Sequence, residues 1–481
     1  MGGGLLQLVL AGQQDQYITQ NPQLSYFKYA YKRHTNFSME SIPLTFLTNP
    51  SLIPEGNDFF YRCDIKRHGD LLSNLYFCFT LPDIYSSDKY KFRWIENIGN
   101  IFIKKATINI GGVIIDSLVG EWLSIWNELS LKDDGSYNRL VGQVPELTSP
   151  TIADTRVRIK NNRFVYIFYP ESDYSKGDSP SIKSKRLYVP LNFWFTRNPS
   201  LALPLLKLQM AEIYITIYTN SSEALYQVWS DILDTYVSPR YYNFLHNERI
   251  NINTFAPNIS LNPYIDANYI FLENSERDSL LLMSNFIDTK SNKKGMQYII
   301  EQISVATETR VSSKSSSKFD IDLNIHRHAK EIIWTLRRDD YQNFNIYNNY
   351  TASPTYNEYS KIITNAALLW NKTNYRIDKD ADYFGYLQPY QHHTNVPRTG
   401  IYCYSFALFP EKVNPTGSYN GSVINTILRL DIDGSYTNGD VNEKLRLNNK
   451  NQYEFDYLVN VYTITMNVFE VIGGTAGLKF A

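Results

Sequence analysis

"AEIYITIYT", residues 211–219, sets Ala211, Ile213, Ile215 and Ile217 on one side of an extended chain and Glu212, Tyr214, Thr216 and Tyr218 on the other. Successive side chains of a strand point to opposite faces, so this alternation predicts a half-buried antiparallel strand. The same period governs "FDIDLNIHR", where Phe319, Ile321, Leu323 and Ile325 alternate with acids and Asn. It recurs in "NLYFCFTL" from Asn74, "KATINIGGVIID" with a turn at Gly111-Gly112, "RLYVPLNFWF" from Arg186, "GIYCYSFALF" from Gly400, "INTILRLDID" from Ile424 and "VNVYTITMNVF" from Val459. These runs are separated by Pro, Gly, Asn and Ser clusters, and the chain carries 38 Tyr and 25 Phe. Together they predict an all-β sandwich architecture with few helices.

One helix is predicted after Ser117, a suitable N-cap, because Leu118, Trp122, Ile125, Trp126 and Leu129 recur at helical spacing. It would plug an edge or end of a sandwich. Strands fill the chain to about Asn220, and the Pro- and Asn-punctuated stretch from Tyr236 to Pro263 lacks sustained periodicity. The organisation expected is an N-terminal arm over 1–25, a first β domain over 26–235, a linker over 236–263 and a second β domain over 264–481. Two polar stretches, Ser130 to Lys185 and Asp339 to Asn395, read as long loops that carry interaction surface.

A chain of 481 residues, 43% hydrophobic, can bury a large core. Its 47 Lys and Arg balance 48 Asp and Glu, so the basic excess that phosphate-backbone binding requires is missing. Cys63, Cys78 and Cys403 are too few and too far apart for a disulfide framework, which points to a reducing compartment. There is no run of 18 apolar residues, and the N-terminus has no signal-peptide pattern, so a membrane-spanning helix or secretory route is not expected. "MGGGLL" begins like a myristoylation site, but Leu6 stands where Ser or Thr belongs; it reads as a flexible glycine lead.

Catalytic motifs are absent: the sequence has no G-x-S-x-G elbow, no H-E-x-x-H and no Walker A loop. "GGTAGLK" has no Ser or Thr after Lys479 and reads as a glycine bend. "DIDG" from Asp431 fails the calcium-loop pattern because Gly434 comes too early. His326 and His328 share a strand face at i and i+2, and His392-His393 follow "LQPYQ"; without a neighbouring ligand in sequence, both pairs read as solvated or hydrogen-bonded. No catalytic residue, cofactor or metal is therefore expected. The N-x-[ST] triplets are uninformative in a chain this rich in Asn, Ser and Thr.

"YFKYAYKRHTNFSMESIPLTF", residues 26–46, interleaves aromatics with cations, and two readings compete for it: a base-stacking platform or a framework segment. Tyr29 and Tyr31 can share a strand face, whereas the adjacent Tyr26 and Phe27 must point apart. The framework reading wins: an arm-to-sandwich junction leading into a strand around Phe37 to Phe46. Tyr26, Phe27, Tyr29, Tyr31, Lys32, Arg33 and His34 are the candidate assembly contacts. Their cations would meet a membrane or an acidic protein rather than DNA.

Residues Gly2 to Ile42, "GGGLLQLVLAGQQDQYITQNPQLSYFKYAYKRHTNFSMESI", closely resemble the N-terminus of the major capsid proteins of nucleocytoplasmic large DNA viruses, in the branch of the algal phycodnaviruses and mimivirus relatives. The likeness continues through "RHGDL" from Arg67, "LYVPLNFWFTRNPSLALPLLKLQMAEI" from Leu187 and "YIFLENSER" from Tyr269. It closes with "QPYQ", "YSFALFPE", "NPTGSYNGS" and "GGTAGL" in the family's order. Gln20 replaces the family's usual glycine, and Val423 and Asn425 replace Arg and Asp, which puts one polar contact in doubt but not the fold.

The resemblance implies two consecutive eight-stranded jelly rolls and a homotrimeric, pseudo-hexagonal capsomer that tiles an icosahedral shell. It implies as partners neighbouring capsomers, minor capsid proteins and an internal viral membrane, with no direct nucleic acid. The protein would be assembled in the host cytoplasm and reside in the virion. It also places the arm at the capsomer's inner base. "PYQHH" and the loop bearing Tyr341, Phe344, Tyr347 and Tyr350 would serve intersubunit contact or the outer tower. The competing class is a carbohydrate-binding or carbohydrate-cleaving two-domain β-sandwich, since jelly rolls serve lectins and glycosidases as well.

Overall fold

The structure, a computed structural model, describes the chain except residues 1, 2, 11, 24, 26, 28–32, 48–58, 132, 133, 154–157, 161–163, 167, 168, 285, 288–293, 307, 312–317, 354, 372, 373, 434–455 and 481. In the first half, β1 (Phe37–Thr45), β2 (Phe59–Asp64), β3 (Leu71–Leu81), β4 (Ile103–Ile110), β5 (Val113–Val119), β6 (Lys185–Pro190), β7 (Ile213–Thr219) and β8 (Tyr264–Leu272) form two sheets, β1-β8-β3-β6 and β2-β7-β4-β5. In the second half, β9 (Lys294–Val305), β10 (Lys318–Asp322), β11 (His328–Arg338), β12 (Ile363–Trp370), β13 (Asn374–Asp380), β14 (Ile401–Ser405), β15 (Thr426–Ile432) and β16 (Tyr457–Ile472) repeat that order as β9-β16-β11-β14 and β10-β15-β12-β13. Short strands extend the margin of the first of these. All of these pairings are antiparallel, and the order is that of an eight-stranded jelly roll, twice.

The alternation in residues 211–219 is met on the inner face, where Ala211, Ile213, Ile215 and Ile217 are buried; on the outer face Glu212 and Tyr218 are exposed and Tyr214 half-buried, but Thr216 is buried. Gly111 and Gly112 take φ of 61° and 83°, the positive pair that a tight hairpin turn between β4 and β5 demands. In β11, by contrast, every residue from Ala329 onward is buried. Ile332, Trp334 and Leu336 face the second roll's own core, while Ile333 joins the first roll's core with Tyr462 and Ile464. A sheet covered on both faces has no polar side to alternate with. The seam between the rolls is therefore built from the β9-β16-β11-β14 sheet.

Several expectations need correction. The helix here called α3, after the exposed α1 (Gly3–Val9) and α2 (Gln13–Thr19) of the arm, spans Gly120–Ser130 rather than starting after Ser117. Pairing with β4 holds β5 extended through Val119, so Leu118 lies opposite Ala106 in a strand. A Cβ at Gly120 would lie 2.1 Å from the Asn100 carbonyl oxygen and 2.2 Å from that of Ile103, so the chain turns into the helix where no side chain intervenes.

The domain boundary also moves. Tyr264–Leu272, expected to open the second domain, hydrogen-bonds between β1 and β3 and is the first roll's eighth strand. The stretch expected to be a linker contains a helix, Pro239–His246, and buries Tyr242, Ile252, Phe255 and Leu261 against the first roll. Nor is Asp339 to Asn395 one loop. It contains β12 and β13, and β12 buries Ala366, Ala367, Leu368 and Leu369 on both of its faces, leaving no period to read. Ser130 to Lys185 likewise holds short helices, with Val141, Val144 and Leu147 buried.

Candidate functional site

Of the candidate assembly contacts, Tyr26, Tyr29, Tyr31 and Lys32 lie outside the described residues. Phe27 is fully exposed, and Arg33 and His34 are exposed as well. The His34 ring lies edge-on to Phe37 at 6.3 Å, and its Nδ1 is 2.8 Å from the Thr35 carbonyl oxygen. The segment then enters β1, the edge of its sheet, where Phe37 and Met39 stand exposed. An edge strand offers unpaired backbone groups, and here it also offers apolar side chains. Further exposed apolar side chains, Leu5, Leu6, Leu8 and Val9, sit on α1, which buries none of its residues.

The loop expected to face outward does something else. Phe344 and Tyr350 are buried, and Tyr341 and Tyr347 are half-buried with their rings edge to face at 5.4 Å. The Arg337 guanidinium lies 4.0 Å from the centre of the Tyr341 ring. Tyr350 donates its hydroxyl to Glu121 at 3.0 Å, so this aromatic cluster fills the seam inside one chain.

The seam is keyed by α3. Its apolar side places Trp122 at 5.5 Å from Tyr462, and its acids reach across to the second roll. Glu121 accepts from Asn460 at 3.0 Å and pairs with Arg337 at 3.3 Å, both side chains almost fully buried. Burial by itself would lower the Arg337 pKa, but the Glu121 charge outweighs it and the net shift is upward. Burial, with the Glu121 charge added, holds the Tyr350 and Tyr462 hydroxyls well above the usual tyrosine range. Seven positions on, Glu128 binds Arg398 through Nε at 3.0 Å and Nη2 at 2.6 Å.

A second buried network lies beside it. Arg197 of the first roll pairs with Glu301 of β9 at 2.7 Å, and Glu301 also meets Lys330, whose side chain is wholly buried. Burial pushes the nearby Asp116 carboxyl up to about 7, while the Arg197 charge and the backbone N–H groups of Ser117 and Trp194 pull it down. Charges this deep require partners, and the two rolls supply them to each other. Sequence reading missed these residues. The available signal was charge inside apolar runs, such as Lys330-Glu331 within "HAKEIIWTL".

Among the histidines, His326 and His328 are exposed, with His328 Nδ1 3.3 Å from Ser418 Oγ. His393 differs. Its side chain is fully buried between Glu331, 2.7 Å from Nε2, and Glu411, 3.1 Å from Nδ1, with Cys403 alongside. The bend at Gly473-Gly474 is a hairpin turn between β16 and Thr475–Leu478.

Two jelly rolls in tandem, joined by a buried polar seam and leaving an apolar arm and edge strand uncovered, define a double jelly-roll protein of the kind that builds viral shells. The fold matches VP54 of the PBCV-1 virus capsid, with a TM-score of 0.67 and 23% identity over 95% of this chain and 100% of that one. It matches the Faustovirus major capsid protein with a TM-score of 0.64 and 12% identity over 95% and 94%. The chain belongs to the large eukaryotic DNA virus major capsid protein family: the model of the major capsid protein N-terminus matches residues 25–273, and that of the large eukaryotic DNA virus major capsid protein matches 290–477. It is 30% identical over 505 aligned residues to the major capsid protein of Pyramimonas orientalis virus, and 29% identical over 578 to that of Phaeocystis pouchetii virus, covering 100% of both chains in each case. These likenesses support a structural role in the capsid of the virion rather than the carbohydrate-binding alternative.

Proposed function

We propose that the protein forms a homotrimer whose three double rolls present six comparable walls, giving a pseudo-hexagonal capsomer that tiles an icosahedral shell. The observation that carries this is the repeated strand order: both rolls build the same pair of four-stranded sheets. One chain thus supplies two similar building faces, and threefold symmetry suffices for hexagonal packing. The exposed apolar residues of α1 and of the β1 edge are the surfaces that partners would cover: neighbouring subunits, minor capsid proteins or the internal membrane. The near-neutral charge of -1 suits a shell that does not grip the genome. Its role is assembly, with no reaction to catalyse. Light scattering on the eluting full chain, followed by negative-stain imaging, tests the reading: trimers with a hexagonal outline are expected, and a stable monomer would overturn it.

A further inference from the structure

Glu331 lies on β11 and Cys403 on β14. In the register Ile333 faces Cys403 and Glu331 faces Ser405, so Glu331 and Cys403 are diagonal neighbours on one face of the sheet. His393 reaches that face from the turn after the helix α4 (Gln388–His392), and the same turn is tied to the end of α3 by a 2.9 Å bond from Asn395 N–H to the Leu129 carbonyl. One carboxylate oxygen, one imidazole nitrogen and the thiol sulfur all lie within 4.8 Å of one another. The side chains of Glu331 and His393 are 0% exposed, and Cys403 is fully buried. Trp126 closes the pocket with its ring edge-on to His393 at 6.0 Å.

A proton on the imidazole accounts for part of this arrangement. With a proton on each nitrogen, Nε2–H donates to Glu331 Oε1 at 2.7 Å and Nδ1–H to Glu411 Oε1 at 3.1 Å. This leaves Glu331 Oε2 buried with no N–H or O–H donor among the described residues, and only the Cys403 thiol, a weak donor, beside that carboxylate. A carboxylate oxygen without a strong donor in a closed site is costly, and a divalent ion would satisfy it.

We infer that Glu331, His393 Nε2 and Cys403 Sγ form a binding site for a late first-row divalent metal ion, Zn²⁺ foremost. A thiolate with an imidazole and one carboxylate selects zinc-like ions over calcium or magnesium. The outer shell is also present. His393 Nδ1 faces Glu411, the carboxylate partner that orients a ligating imidazole, and Glu411 is itself held by Thr394 through N–H at 2.8 Å and Oγ1 at 2.5 Å. Ligand distances of about 2.0–2.3 Å require the Glu331 and His393 atoms to part by roughly half an ångström, within reach of side-chain rotation. Three protein ligands leave a fourth position for Glu331 Oε2 or water. The ion would fasten the turn that bears His393, and with it the end of α3, to the second roll.

The test is metal content of the full chain, loaded with Zn²⁺, stripped of loose ions by gel filtration and analysed by mass spectrometry; one ion per chain is expected. Loading with Co²⁺ should give a near-ultraviolet thiolate-to-cobalt charge-transfer band. Cys403→Ser should abolish both, while Cys63→Ser and Cys78→Ser keep both. Glu411→Gln should weaken binding about 10- to 100-fold. Retention well below one ion per chain, or a charge-transfer band that survives Cys403→Ser, overturns the site. If Cys403→Ser fails to fold, the wild-type cobalt spectrum decides: the charge-transfer band supports the site, and its absence overturns it.

Discussion

Glu128 near the end of α3 and Arg398, 270 positions later, are bound side chain to side chain, with Arg398 Nε and Nη2 at 3.0 and 2.6 Å from one carboxylate oxygen. The backbone N–H of Arg398 lies 3.3 Å from the other oxygen. This pair sits at the rim of the seam, about a third exposed on the arginine and a fifth on the glutamate. It tests whether the rolls behave as one folding unit. Removing either side chain is expected to cost about 1–3 kcal/mol, and Arg398→Lys should recover only part of that, because the fork is lost while the charge stays. A double-mutant cycle on thermal unfolding reads the coupling; additive losses would show the pair to be idle.

Tyr350 separates the two roles open to its loop. Its hydroxyl donates to Glu121 at 3.0 Å from a buried site. Tyr350→Phe should therefore cost about 1–3 kcal/mol by leaving Glu121 Oε1 with only the longer bond from Thr335 Oγ1 at 3.5 Å, and Tyr350→Ala about 3–5 by leaving a cavity. Both losses should appear in the unfolding of the chain itself. A Tyr350→Ala protein with unchanged unfolding and weakened subunit contact would return the loop to the surface.

Gly120 is the point where β5 becomes α3. A methyl group there would overlap the carbonyl oxygens of Asn100 and Ile103, and the obstacles are backbone, which cannot rotate aside. Gly120→Ala should cost several kcal/mol although alanine is the better helix former, reversing the usual order. Soluble yield and unfolding midpoint check it; a gain in stability would mean that the helix start can shift.

Much of the fold was legible in residues 211–219 and their counterparts, because a sheet with one wet face writes its burial as alternation. The boundary at 264 was not. Nothing in "YIDANYIFL" tells a strand to pair backward with β1 and β3 rather than forward, since register is a tertiary choice. β11 and β12 hid for the opposite reason: covered on both faces, they carry no period. Trp122 and Trp126 announced the helix, but its partner, the second roll's sheet, was out of reach of spacing arguments. His393 was read as one half of an ordinary pair because Glu331 and Cys403 are far from it in the chain.

Asp116 makes the seam sensitive to pH. Its carboxyl is raised from an ordinary 3.8 to about 7 by burial, against the pull of Arg197. Below about pH 4 both folded and unfolded chains hold this proton. Between about 4 and 7 the unfolded chain releases it and the folded one keeps it, so this contribution to stability falls as pH rises and is gone above 7. The full span is on the order of 4 kcal/mol. Asp116→Asn should flatten the fall between about pH 4 and 7 in denaturant titrations while leaving the Arg197 to Glu301 pair in place. Parallel pH profiles for the two proteins would remove Asp116 from the account.

The arm distinguishes folding from assembly. α1 and α2 bury no residue, and Leu5, Leu6, Leu8, Val9, Tyr17 and Ile18 are exposed, so within one chain the arm adds nothing to the core. Apolar side chains at this density gain only when something covers them, at about 25 cal/mol per Å² of surface removed from water. If that cover is a minor capsid protein or a membrane, deleting Gly2 to Thr19 should leave the unfolding midpoint and the proposed trimer intact. Shell assembly and binding to lipid vesicles should then be impaired. Light scattering reads the trimer, and sedimentation with vesicles reads the membrane contact. Loss of the trimer itself would place the arm between subunits, and unimpaired shells with unchanged vesicle binding would leave it without a partner in assembly.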